Sequence, residues 1–192
     1  MQARQKDARY TIRDYRAGKE GEYFELIDGV VYDMSPAPRV EHQRIAGEIF
    51  GSLYNFLKGK PCEVFSAPID VYFAENEDED TVVQPDIIVV CDPGKVREHG
   101  IVGAPDVVAE VLSPSTAVYD LTHKLRLYQS KGVPEYWVVS GEKRTVFRYT
   151  LEGTAYRMEA FEEGSMPSLK LNGFSLDIPA LFSQFNEEGT PT

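Results

Sequence analysis

Three side chains, Asp86, Glu110 and Lys124, carry the chemistry this sequence is best equipped to do. Asp86 follows Pro85 and opens the apolar run Ile87–Val90, and Glu110 interrupts a second apolar run that begins at Val107. A carboxylate projecting from such a run is costly to bury unless something compensates it. A basic side chain can do so, and so can a hard divalent cation such as Mg²⁺, which prefers carboxylate oxygens. Lys124 stands four residues after Asp120, a spacing that puts the two on one helical face as an ion pair. Its place between Leu121 and Leu125 sets it at the edge of a buried face, from which a long stem can carry the ammonium to the carboxylates. The residues alone point to an acidic metal site and name no substrate.

The surrounding pattern supplies the elements that must hold these groups. Residues 23–27 and 30–34 flank Asp28-Gly29, a two-residue hairpin signal. In residues 40–58, Ile45, Ile49, Leu53 and Leu57 repeat in steps of four, the stripe of an amphipathic helix, which Gly59 and Pro61 end. Strands are expected at 63–65, 69–73, 82–83, 87–90 and 107–112, with a loop from Pro93 to Gly103. A helix over 118–131 closed by Gly132, then a strand over 135–139, gives strand-helix-strand order. Further strands at 145–149, 155–160 and 169–171 and a helical turn over 179–185 complete the pattern. The class is α/β: one domain over 1–192, its core spanning about 10–182 and residues 186–192 forming a polar tail.

Composition narrows the function classes. The 192 residues are 42% hydrophobic and 27% charged, which is globular. No run approaches the roughly 20 apolar residues that cross a bilayer, and the N-terminus has no secretory signal, so a cytoplasmic protein is expected. Cys62 and Cys91, the only cysteines, are expected as small core hydrophobes rather than a disulfide or a zinc site. The net charge of −11 opposes a polyanionic partner. Part of it is concentrated at Glu75, Glu77, Asp78, Glu79 and Asp80, read as solubilising surface. No G-x-S-x-G, dinucleotide fingerprint or phosphate-cradling loop is present, and Ser113 and Thr116 are read as local caps for the next helix.

The segment VVAEVLSPSTAVYDLTHKLRLYQSKGVPEYWVV, residues 107–139, resembles the central signature of the Uma2 family. YFELIDGVVYDMSPAPRVEHQRIAGEI from Tyr23 and QPDIIVV from Gln84 resemble its earlier motifs in the same order, so that the likeness covers about residues 10–182. It implies a restriction-endonuclease-like mixed sheet flanked by helices, with additional β-hairpins, within the PD-(D/E)xK nuclease superfamily. In that superfamily an Asp and a following Asp or Glu hold a divalent metal and a Lys assists attack by water. Asp86 takes the first position and Glu110 the second, whereas the usual lysine position, two residues after Glu110, is Leu112. The resemblance transfers the lysine's role to Lys124.

It also implies a further N-terminal carboxylate, for which Glu25 is preferred over Glu48 on the long helix. His42 matches the family's helix-start histidine and, with Asp120, is expected beside the site rather than in it. The implied activity is Mg²⁺-dependent hydrolysis of DNA phosphodiesters, with Mn²⁺ as a substitute. A homodimer would supply two cleavage centres for a duplex, although no sequence feature specifies one. A noncatalytic interaction module and a small-molecule phosphodiesterase are the alternatives. A channel lined by Lys95, Arg97, Lys124, Arg126 and Lys131 would favour nucleic acid.

Overall fold

The computed structural model describes residues 9–18, 24–34, 39–113 and 117–183. Thr116 and the polar tail from residue 186 lie outside the described residues. The chain forms a mixed α/β fold in which a central sheet is flanked by helices and extended by hairpins.

The central sheet contains β3 (Glu63–Ser66), β6 (Ile87–Val90), β9 (Val107–Val111), β10 (Glu135–Ser140), β11 (Thr145–Glu152) and β12 (Ala155–Phe161), in the order β12-β11-β10-β9-β6-β3. β9 and β10 run parallel, joined by the expected helical crossover, and the other neighbours are antiparallel. β6 and β9 are buried on both faces, as their unbroken apolar sequences require.

Period-two alternation divides these residues between two cores. Ile87, Val89, Val107, Ala109 and Val111 pack with Ile45, Ile49, Leu53 and Leu57, the stripe of α2 (Val40–Leu57). Ile88, Val90 and Val108 pack with Tyr119, Leu127, Tyr128 and Tyr136 on the other side. Glu110 therefore projects, with Val108, toward the helical crossover.

A second sheet, in the order β2-β1-β5-β4-β8-β7, contains β1 (Phe24–Ile27), β2 (Val30–Asp33), β4 (Val71–Tyr72), β5 (Val82–Val83), β7 (Val96–Arg97) and β8 (Gly100–Val102). The β1–β2 turn has positive φ at both Asp28 (50°) and Gly29 (75°), the conformation that suits strand twist in a two-residue hairpin. Its register sets Tyr32 opposite Glu25.

Several expectations need correction. The expected loop at 93–103 contains the β7–β8 hairpin, because Ile101 is buried against Val71 and its N–H bonds to the Asp70 carbonyl at 2.8 Å. Gly100 makes that approach possible: a Cβ there would lie 2.4 Å from the Asp70 oxygen. The expected strand at 169–171 is a turn between β13 (Ser165–Pro167) and β14 (Ser175–Asp177), which bury Met166 and Leu176. The helix expected over 118–131 is not uniform: α3 (Ala117–Tyr119) leads into a π-helical turn, Asp120–Lys124, before α4 (Leu125–Ser130). The terminal helical turn is α5 (Ile178–Phe182), N-capped by Asp177.

Cys62 and Cys91 are also corrected, since they are joined as a disulfide. Glu63 pairs with Val90 across the antiparallel β3–β6 ladder, so Cys62 and Cys91, each one residue further, meet at its end. That register was invisible in their separation of 29 residues. Among the described residues, no helix is long and apolar enough to cross a membrane.

Candidate active site

Glu110 on β9 and Glu25 on β1 come from different sheets and meet at Lys124. The Lys124 ammonium lies 2.7 Å from Glu110 Oε1, 3.0 Å from Glu25 Oε1 and 3.9 Å from Asp120 Oδ1. Lys124 and the two carboxylates nearest its ammonium are buried, with Glu25 at 0%, Glu110 at 3% and Lys124 at 4% exposure. The π-helical turn takes part in this arrangement, because it inserts Asp120 and Lys124 together on the inward side. Such turns inside α-helices are frequent at functional sites. The Tyr136 hydroxyl donates to the Asp120 carbonyl within the turn at 3.2 Å.

Each carboxylate is fixed by further donors. Tyr128 donates its hydroxyl to Glu110 Oε1 at 2.8 Å, and the Gln84 backbone N–H donates to Glu25 Oε1 at 2.7 Å. Gln84 Nε2 in turn donates to Asp70 Oδ1 at 2.7 Å. Asp86, at the mouth of β6, accepts the Val111 N–H through Oδ2 at 2.7 Å, and His42 Nε2 stands 3.1 Å from the same oxygen. The Asp86 N–H approaches Glu110 Oε2 at 3.4 Å, which sets the Glu110 carboxylate against the start of β6.

The charges follow from burial and count. Burial pushes Glu110 well above the usual carboxylate range, against the pull of Lys124, and the neighbouring acids Asp86, Asp120 and Glu25 add to the rise. Burial alone would lower Lys124, but Glu110 and Glu25 outweigh it and hold the ammonium charged. His42 behaves similarly: burial opposes its charge, and the Asp86 hydrogen bond and charge raise it overall. The centre has an excess of acid over base, which a divalent cation or a shared proton would offset.

Every expected site residue except Glu48 takes part in this constellation. Glu48 lies on the exposed side of α2, whereas Glu25 is fully buried against Lys124. Asp120 stands 3.9 Å from the Lys124 ammonium and His42 3.1 Å from Asp86 Oδ2. The proposed basic channel does not gather at this site: Lys95 donates to the Ala104 carbonyl, Arg97 pairs with Glu75, and Lys131 lies over the Phe73 ring. A cleft of about 410 Å³ opens beside Gln84 and Asp70, but Glu25, Asp86 and Glu110 do not line it.

The residues missed by sequence reasoning are Tyr128, Gln84 and Tyr119, whose ring centroid lies 5.7 Å from the Lys124 ammonium and whose hydroxyl is turned toward Glu25. Tyr128 lies four residues after Lys124, a spacing that could have placed it beside the ammonium. Gln84 acts through its backbone, and its side-chain type carries no such signal.

The donor set suits a hard cation, and Glu25 Oε2 is buried with no hydrogen-bond partner. Among the described residues, however, no three His, Cys, Asp or Glu side chains are arranged as a metal-holding group. Glu25 and Glu110 are gathered on the Lys124 ammonium instead.

A mixed sheet with helices on its faces and acidic residues at adjacent strands places this protein in the restriction-endonuclease-like class of folds. The chain belongs to the Uma2 family, whose model, described as "Putative restriction endonuclease", matches residues 11–179. A crystal structure from Anabaena variabilis ATCC 29413, described as a putative nuclease belonging to DUF820, has the same fold, with a TM-score of 0.74. It is 23% identical, and the match covers 90% of this chain and 97% of that one. The chain is also 31% identical over 110 residues to "Uncharacterized protein slr1290" of Synechocystis sp. (strain ATCC 27184 / PCC 6803 / Kazusa). That match covers 57% of this chain and 56% of the relative, little more than half of its length.

Proposed function

We propose that this protein is a single-domain, divalent-metal-dependent endonuclease that hydrolyses DNA phosphodiester bonds. The observation that carries the reading is the contact of one buried lysine with carboxylates from two sheets, beside Asp86. The family's description supports the nuclease class.

Asp86 and Glu110 would hold Mg²⁺, or Mn²⁺ in its place. When bound, the cation supplies charge neutralisation at the phosphate and lowers the pKa of water. Lys124 orients the attacking water and stabilises the charge that develops on the scissile phosphate. Glu25 draws the ammonium toward the site. His42 and the Val111 N–H hold Asp86, while Tyr128 holds Glu110. In a homodimer, two such centres would address the two strands of a duplex.

A noncatalytic interaction module is the second reading, and the ion pairing itself favours it: Lys124 already pairs with both Glu25 and Glu110. Calorimetric titration with Mn²⁺ separates the two. The nuclease reading expects micromolar binding that Glu110→Ala removes while the far-ultraviolet spectrum keeps its shape. Absence of Mn²⁺ binding by the wild-type protein would favour the module.

A further inference from the structure

Three aromatic rings form a ledge next to the lysine. Tyr119 packs on Tyr32 with ring centroids 4.8 Å apart and on His123 at 5.6 Å, and Tyr32 and His123 are 5.3 Å from each other. Tyr119 is the inner member, 4% exposed, and the Lys124 ammonium stands 5.7 Å from its ring centroid. Its buried hydroxyl is turned toward Glu25, and burial followed by that carboxylate's charge raises its pKa. The outer members reach solvent: His123 is exposed and Tyr32 half-buried, with the Tyr32 hydroxyl 3.5 Å from His123 Nδ1.

Two elements hold this ledge at the site. Tyr32 is the cross-strand partner of Glu25, so their side chains share one face of the β1–β2 hairpin. Tyr119 caps the π-helical turn and His123 lies within it, next to Lys124. The outer rings are therefore one aromatic ring away from the ammonium.

We infer that Tyr32 and His123 form a stacking subsite for the base of an unpaired nucleotide flanking the phosphate at Lys124. The inference rests on the nuclease reading and adds to it a substrate class, a single-stranded or locally unpaired nucleic acid. Charge is the reason to expect stacking here. With a net charge of −11, the protein lacks the excess of Lys and Arg from which phosphate binding draws its strength. Stacking on tyrosine and histidine needs no positive charge and accepts any base, since every base has a π-face. Bases within a duplex are already stacked and do not present that face.

The test is binding of a short, fluorescently labelled single strand by the full chain, with Ca²⁺ replacing Mg²⁺ so that binding is read apart from cleavage. A single abasic position is moved along the strand, and the intact and abasic strands are compared on wild type, His123→Ser and Tyr32→Ser/His123→Ser. The inference expects one abasic position to weaken wild-type binding about tenfold. The double variant should lose a similar factor on the intact strand and little more on the abasic one, with His123→Ser between, since both changes remove one interaction. Wild-type affinity in both variants, or losses that multiply, would overturn the subsite while wild-type cleavage in Mg²⁺ kept the nuclease reading. A wild-type protein that neither binds nor cleaves the strand would overturn both.

Discussion

The Lys124 ammonium and Glu110 Oε1 are 2.7 Å apart between buried residues, and Glu25 approaches the same ammonium at 3.0 Å. One cation thus joins a strand of the central sheet, a strand of the second sheet and the crossover helix. Removal of one partner from a buried ion pair leaves an uncompensated charge and costs about 3–5 kcal/mol.

Lys124→Met is accordingly expected to destabilise the fold by about 3 kcal/mol or more in urea unfolding. Lys124→Met combined with Glu110→Gln should recover part of that loss, because the second change removes one stranded carboxylate. A double variant whose cost equals the sum of the single costs would show that the residues do not act as a pair.

Glu135 presents a different buried carboxylate, held by neutral hydrogen-bond donors. Its Oε1 accepts from Trp137 Nε1 at 2.6 Å, and its Oε2 accepts from Ser168 Oγ at 3.1 Å and the N–H groups of Leu169 and Lys170 at 2.9 and 2.8 Å. Glu135 organises the turn between β13 and β14 and lies outside the constellation at Lys124. Glu135→Ala should cost on the order of 3 kcal/mol, since it strands several buried donors. Divalent-cation affinity should be unchanged in the fraction that remains folded, and calorimetry at low temperature checks this.

The second sheet predicts a response to alkaline pH. Tyr15 and Tyr72 both donate to Asp70, at 2.9 and 2.8 Å. Burial, followed by Asp70, raises both hydroxyls, Tyr72 to about 12 and Tyr15 further. An unfolded tyrosine titrates at roughly 10. Above that pH the unfolded chain has released protons that the folded chain retains, so stability falls as pH rises. The contribution is fully present below pH about 10 and is lost for Tyr72 as pH rises toward about 12. Thermal midpoints measured from pH 8 to 11 should decline beyond the first tyrosine titration, and Tyr15→Phe/Tyr72→Phe should flatten the decline. An equally steep decline in the double variant would assign the effect to other groups.

Local periodicity made much of this fold legible. The four-residue steps from Ile45 to Leu57 and the Asp28-Gly29 turn encode their elements in adjacent residues, and both formed as read. The cross-strand meeting of Cys62 and Cys91 depends on the register of two strands far apart in the chain, which neither strand encodes alone. The π-helical turn was similarly hidden, because its side-chain pattern fits an ordinary helix and its geometry answers to burial of Asp120 and Lys124. At the site, the apolar flanks of Glu110 marked it as a buried charge in need of a partner. The partner's identity was less legible: Lys124 emerged from the family-like motif, and its grip on two carboxylates emerged only in three dimensions.

Cleavage of DNA by purified protein tests the central claim most directly. Single-stranded, duplex and branched substrates would be incubated with Mg²⁺ or Mn²⁺, alongside Asp86→Ala, Lys124→Ala and a chelator control. The account predicts metal-dependent cleavage by wild type that falls at least about a hundredfold in each variant, the scale for loss of one preorganised electrostatic contact to the transition state. Cleavage at the wild-type rate in both variants, or cleavage that persists in chelator, would contradict it.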